Sequence, residues 1–249
     1  MAASLTVLVV GATGSVGRHV VAEAVRNGHT VRALVRSTSR AGRLDPSAQV
    51  VVGDLTRADS LRDAVADVDA VVFTHGASYG SSDAEAVDYG AVRNVLTALA
   101  GRPARVALMT AIGVTGRGTT HDWKRRSERL VRASGNAYTI VRPGWFDYND
   151  DDVLEITMLQ GDTRHAGSPA DGVIARRQIA RVLVDALTSD AADRKTFELV
   201  AERGPEQADL DPVFAALAPD SGIDGVRDDE NMPAGNEPER VRQDLAARH

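Results

Sequence analysis

The 249-residue chain contains no cysteine, which excludes disulfides, thiolate metal sites and a cysteine nucleophile. It has no apolar run of membrane-spanning length, which argues against a transmembrane helix. The first apolar stretch, from Leu5, lacks a basic leader and breaks at Gly11, so no secretory signal is expected. Basic charge is not in excess either. The formal net charge of −6 is the wrong balance for a general nucleic-acid binder. Internal repeats, low-complexity tracts and a clear linker are also missing. What is there is 43% apolar residues, enough for the core of one large α/β domain with additions, soluble and expected in the cytoplasm.

The informative stretch is LTVLVVGATGSVG, Leu5 to Gly17. Five mostly β-branched residues end at Gly11, and Val16, Val20, Val21, Ala24 and Val25 then follow at helical spacing. Strand, glycine turn and helix form the local plan. Glycines let backbone N–H groups approach a ligand, and the helix's positive end favours a pyrophosphate. Gly11, Thr13, Gly14, Ser15, Val16 and Gly17 are therefore candidate dinucleotide-binding residues.

The second predicted strand is Thr30 to Val35. An NAD site usually carries an acid at its end. Here Arg36, Ser37, Thr38, Ser39, Arg40 and Arg43 stand instead, and guanidinium and hydroxyl groups suit a 2′-phosphate. Arg36, Ser37 and Arg40 are assigned to NADP(H). Gln49–Val52 predicts a third strand, followed by Gly53-Asp54-Leu55. Thr56 and Asp59 have the spacing of a capping pair ahead of Leu61, Ala64 and Val65. That leaves Asp54 to accept a bond from an adenine amino group or to bond its own loop, and the sequence does not choose.

Ala70–Phe73 predicts the fourth strand, before Thr74-His75-Gly76. Ser82 and Glu85 read as a capping box opening a long helix through Val87, Ala91, Val95, Leu96 and Leu99. Gly90 inside it suggests close packing against the sheet. Arg105–Met109 is the fifth strand, with Thr110 at its end. In the helix that follows, Trp123, Leu130 and Val131 mark the buried side, while Arg125, Arg126, Arg129 and Arg132 read as a solvated face. Ala137–Val141 is the sixth strand. Asp147, Asp150, Asp151 and Asp152 form a polar loop with loop or cap roles rather than a metal site. Leu154–Gln160 and Thr196–Val200 read as strands, Arg176–Leu187 as a helix after Val173–Ala175, and Pro212–Leu217 as a short helix. Beyond Gly204 the acidic sequence reads as a lid, a dimer arm or a loose tail.

Six strands separated by helices imply a doubly wound parallel-sheet Rossmann fold with ligands at the strands' carboxyl ends. Residues 1–203 would form the NAD(P)-binding domain, with substrate-side elements from about 147, and residues 204–249 a small C-terminal extension of it.

On GATGSVG, VRALVR, GDL, WKRRSERLVRASG, YTIVRPGWF, GVIARRQIARVLV and KTFELV, the chain resembles the short-chain dehydrogenase/reductase superfamily, in its atypical NmrA-like NAD(P)H-binding branch. The resemblance covers roughly the first four-fifths of the chain. It implies that Asp54 and Leu55 flank the adenine, that Thr74, His75 and Gly76 lie beside ribose and phosphates, and that Pro143, Gly144, Trp145 and Phe146 pass the nicotinamide. The family pairs a Ser or Thr after the fifth strand with a Tyr-x-x-x-Lys helix. Lys124 and Thr110 match, giving Lys124 the nicotinamide ribose and Thr110 a substrate carbonyl. The Tyr position holds Thr120, which cannot serve as a comparable acid. Lys124 also has a plainer reading, an exposed ion pair with Glu128 four residues on. His121, Tyr79 and Tyr148 are the available substitutes for the acid, and His165 reads as a loop residue.

The expectation is an NADPH-dependent oxidoreductase acting on a small organic substrate, as a monomer or homodimer, without a metal. The alternative is a non-catalytic NADP(H)-binding regulator. An epimerase retaining NAD fits less well, because it needs the Tyr and an acid where Arg36 stands.

Overall fold

Runs of β-branched residues alternate with amphipathic segments, and they fold in that order. In the computed structural model, which describes residues 4–77 and 82–248, β1 (Thr6–Val10) enters helix α1 (Gly17–Arg26) through the glycine turn. β2 (Thr30–Val35), β3 (Gln49–Val52) and β4 (Ala70–Phe73) follow, then helix α2 (Gly90–Leu99). β5 (Arg105–Met109), helix α3 (Thr119–Ala133) and β6 (Tyr138–Pro143) complete the six expected strands. These strands are parallel, in the order β3-β2-β1-β4-β5-β6. The winding reverses between β1 and β4, which opens a crevice at their carboxyl ends.

The sheet continues through β7 (Trp145–Phe146), β8 (Glu155–Leu159), β9 (Val173–Ile174) and, after helix α4 (Arg176–Asp185), β10 (Lys195–Glu202). β10 lies parallel to β6 and antiparallel to β8 and β9. Side-chain alternation divides the core in two. Val7 and Val9 face α1 and α4, while Leu8 and Val10 face α2 and α3.

Three local expectations change. Thr56 bonds Asp54 instead of pairing with Asp59, and only a short 3₁₀ turn, Ala58–Leu61, follows without a side-chain cap. The helix after β4 opens with an uncapped π turn, Glu85–Tyr89, rather than a Ser82–Glu85 box. Gly90 is not forced by the sheet: a Cβ there would meet only the Glu85 carbonyl oxygen, at 3.4 Å.

The largest correction concerns the arginines of α3. They are not a solvated face. The chain beyond residue 204, which includes α5 (Asp211–Ala215) and α6 (Glu239–Ala246), returns across them. Asp224 accepts from Arg125 at 3.1 Å and from Arg129 at 2.7 and 2.8 Å. Glu237 accepts from Arg126 and Arg129, each at 2.6 Å. Asp220 takes Arg132 at 3.1 Å, and Asn231 takes Arg125 at 2.5 Å. The side chains of Arg125 and Arg129 are each 1% exposed. This segment is therefore no loose tail. α6 adds a second anchor, where Asp244 accepts from Tyr89 at 2.8 Å and from Arg93 at 2.9 Å. Desolvating so many guanidinium groups is tolerable only because each has a carboxylate or carbonyl partner.

Arg142 on β6 belongs to the same layer. It binds Glu128 and Asp228 at 2.7 Å and lies 3.5 Å from Glu198, its register partner on β10. Burial drives the Glu198 carboxyl up to about 7 against the pull of Arg142, and its Oε1 has no hydrogen-bond partner among the described residues.

The packing sets four expected outcomes. Gly90→Ala should stabilise the protein by about 0.5–1 kcal/mol, because its Cβ would make only a van der Waals contact with the Glu85 carbonyl and glycine is costly inside a helix. Urea denaturation measures it. In the same assay Glu237→Ala should cost about 3–5 kcal/mol by stranding buried guanidinium groups. Asp59→Ala, at an exposed pair with Arg62, should cost less than about 1 kcal/mol. For Glu198, a folded pKa above the unfolded one means that the folded state binds the extra proton. Its contribution is fully present below about pH 4.5 and is lost as pH rises through about 7. Glu198→Gln should thus stabilise the protein by about 1–3 kcal/mol at pH 8 and by much less at pH 5.

Candidate functional site

The glycine turn is shaped by its neighbours. Gly11 has φ +83°, and a Cβ there would come within 2.7 Å of the His75 nitrogen. A Cβ on Gly17 would collide with the Gly11 carbonyl oxygen and the Thr74 hydroxyl. Glycine at both places lets α1 start directly against β1 and β4. Gly11, Thr13, Gly14, Ser15 and Val16 line a cleft of about 780 Å³, with Gly17 packed behind them. A backbone cradle at a helix N-terminus of this kind fits a pyrophosphate.

Arg36 and Arg40 line the β2–β3 side of the cleft, together with Asp54 and Leu55. Ser37 has a local task, because its oxygen caps the 3₁₀ turn Thr38–Arg40. Asp54 Oδ1 accepts from the Thr56 nitrogen at 2.9 Å and hydroxyl at 2.7 Å. Those bonds hold the Asp54 carboxyl below the usual carboxylate range. The loop-bonding reading of Asp54 is thus realised at one oxygen, within a residue that still borders the cleft.

Thr74, His75 and Gly76 form the floor. The Thr74 hydroxyl donates to the Val10 carbonyl at 3.0 Å. Burial, reinforced by Lys124 and opposed by Asp88, lowers His75 to about 4, so its imidazole is neutral near pH 7.

Met109, Thr110, Ala111, Lys124 and Phe146 line the β5–β6 side. Lys124 is not the surface partner of Glu128. Its Nζ donates to Asp88 Oδ1 at 2.7 Å, with the Lys side chain 15% and the Asp side chain 2% exposed. Glu128 is fully buried and accepts from the Thr110 hydroxyl at 2.7 Å. Burial alone would raise the Glu128 carboxyl, but Arg142, helped by Arg132 and Thr110, holds it down at about 2. An ionised carboxylate only accepts. The single hydroxyl proton of Thr110 is therefore engaged by Glu128, which leaves only its oxygen's acceptor capacity to offer a ligand. This corrects the expectation that Thr110 donates to a substrate carbonyl.

The other candidates are scattered. Of Pro143–Phe146, Phe146 reaches the cleft. Pro143 is buried at the end of β6, and Gly144 packs against Gly172. Trp145 sits edge-on to Tyr148, which is 63% exposed. His121 bonds the Gly116 carbonyl through Nδ1 at 3.0 Å and does not line the cleft. His165 lies beside Gly113 and Gly116, as a loop residue would. Tyr79 falls outside the described residues. No group of His, Asp and Glu suited to a metal ion occurs among the described residues.

Sequence reasoning passed over Asp88 and the internal role of Glu128. A signal for Asp88 was present: it lies three, four and seven residues before Ala91, Val92 and Val95, inside an apolar stripe. A carboxylate there needs a buried partner.

Comparison with known proteins bears on the family and the fold. The chain is 29% identical over 233 residues to the chloroplast protein TIC 62 of Pisum sativum, spanning 79% of this chain and 43% of that protein. It thus corresponds to less than half of the length of that relative. Sanguinarine reductase of Eschscholzia californica is 25% identical over 243 residues, covering 78% of this chain and 88% of that enzyme. Among solved structures, a Bacillus halodurans protein assigned to the NAD-dependent epimerase/dehydratase type superposes with TM-score 0.71 at 24% identity. That match covers 86% of this chain and all of the other, and it speaks for the fold alone. These likenesses support the atypical short-chain branch suggested by the motifs. The profile of the NAD(P)H-binding family matches residues 11–190, and the chain belongs to that family.

Proposed function

We propose that this protein is an NADPH-dependent oxidoreductase that transfers a hydride to a small organic acceptor. The observation that carries this reading is the placement along one cleft of the glycine turn, Arg36 and Arg40 on one side, and Lys124 with Thr110 on the other. The Gly11–Val16 backbone would hold the pyrophosphate, Arg36 and Arg40 the 2′-phosphate, and Lys124 the nicotinamide ribose. NADPH supplies the hydride when bound. The protein's own part is then chiefly positioning, with Phe146 as an apolar wall and Thr110 as an acceptor. A reductase among the relatives, sanguinarine reductase, supports the activity class. The acidic net charge supports a small-molecule ligand over nucleic acid. No helix among the described residues is long and apolar enough to cross a membrane, and we place the protein in the cytoplasm as a monomer or homodimer.

A second reading, an NADP(H)-binding regulator without turnover, draws on Thr120 at the place of the acid and on the committed proton of Thr110. Oxidation of NADPH against a panel of quinones, flavins and carbonyls separates the two, since the regulator turns over none of them.

Cofactor choice is tested by calorimetric titration. Arg36→Asp should weaken NADPH by about 2–3 kcal/mol, the loss of a charge-assisted bond, and improve NADH. A wild type that prefers NADH would overturn the assignment of Arg36.

A further inference from the structure

The π turn that opens the helix after β4 contains Asp88. Such a turn holds one residue more than a regular α-helical turn and is found often at functional sites. Here it buries two successive residues, Asp88 and Tyr89. The Tyr89 ring packs on Trp123 of α3 at 5.5 Å between centroids, while Asp88 meets Lys124, the residue after that tryptophan. Asp88 Oδ1 also accepts from the Ala77 nitrogen at 3.2 Å, so one carboxylate oxygen ties the loop after β4 to α3. Oδ2 is buried and has no partner among the described residues. A carboxylate would not be left there without a cation to hold.

We propose that Asp88 is the positioning residue for Lys124: it takes one of the three ammonium N–H donors and leaves the other two directed to the cleft, where a vicinal ribose diol can accept both. A lysine on a flexible four-carbon stem has no fixed direction of its own, and Glu128, one turn further along, is taken by Thr110 and Arg142. Asp88 supplies the missing constraint through an ion pair that is largely withdrawn from water. The proposal rests on the reading of the cleft as an NADPH site.

Among the described residues, the other ionisable groups around Lys124 are His75 on the loop after β4, neutral near pH 7, Asp83, which lines the same cleft, and Glu128 on its own helix. Removing the Asp88 charge leaves burial to favour the neutral amine, so ammonium is lost as pH rises.

NADPH binding is measured by calorimetry from about pH 6 to about pH 9, the interval over which a desolvated lysine comes to titrate. Asp88→Asn should weaken NADPH about tenfold near pH 7, and further with rising pH, while wild type stays comparatively flat. In a Lys124→Met background Asp88→Asn should have no further effect, since the group it positions is gone. Asp88→Glu keeps the charge but displaces it by one methylene, and should weaken NADPH binding with the pH profile unchanged. A pH-independent loss in Asp88→Asn, or the same loss with and without Lys124, would make Asp88 merely structural and overturn the proposal. So would wild-type affinity in Asp88→Glu, which remains decisive if Asp88→Asn does not fold. Failure of the wild type to bind NADPH overturns the cleft reading together with this one, whereas binding by wild type with silent Asp88 variants overturns this one alone.

Discussion

The carboxylate of Glu128 is the point on which the rest of the structure turns. It is fully buried, yet Arg142 and Arg132 hold it ionised. An ion in that place is stable only with its counter-charges fixed around it. On one side Glu128 accepts the hydrogen bond of the Thr110 hydroxyl and so orients that group beside the cleft. On the other it shares Arg142 with Asp228, and Arg132 with Asp220, both from the C-terminal segment. The chemistry of the cleft and the docking of the last residues thus meet at one buried group.

Helix α3 is built for this double duty. Lys124 turns to the cleft, and Trp123 packs on Tyr89. Its arginines turn to the acidic return of the chain, while Leu130 and Val131 enter the apolar core. A helix so rich in arginine would ordinarily lie in water. Here the acidic segment covers it, and net charge conceals the arrangement because both partners belong to one chain. The segment is accordingly part of the wall that fixes where Lys124 and Glu128 stand.

The parts of the molecule governed by local rules were legible in the sequence. β-Branched runs, the Gly11–Gly17 turn and the order of strands led to the parallel sheet, and Lys124, Thr110, Arg36 and Arg40 do converge on one cleft. What was illegible depended on contacts far apart in the chain. The arginine face looked solvated because its partners lie about 90 to 110 residues further on. That long-range pairing overrode the usual reading of a charged helix face. Helix α6 was missed because Val241 and Leu245 give it only a narrow apolar stripe. The capping pairs failed for a local reason: Thr56 had a nearer partner in Asp54, and the π turn removed the geometry a box at Ser82 needs.

The same hydrogen bonds limit the chemistry the cleft can offer. His75 is half-buried and neutral near pH 7, and the Thr110 hydroxyl donates to Glu128. Lys124 is bound to Asp88, so its ammonium is better placed to orient a ribose than to roam toward a substrate. Under the proposed function these groups would hold a cofactor and accept a hydrogen bond, and none is set up as a strong acid. Hydride transfer asks mainly for distance and direction between donor and acceptor atoms, which such a wall can provide. An acceptor whose reduced form draws its proton from water, or needs none, suits this cleft better than a simple ketone that depends on a tyrosine. On that view the threonine at position 120 is consistent with turnover, and the choice between reductase and regulator rests on the nature of the acceptor rather than on the missing residue alone.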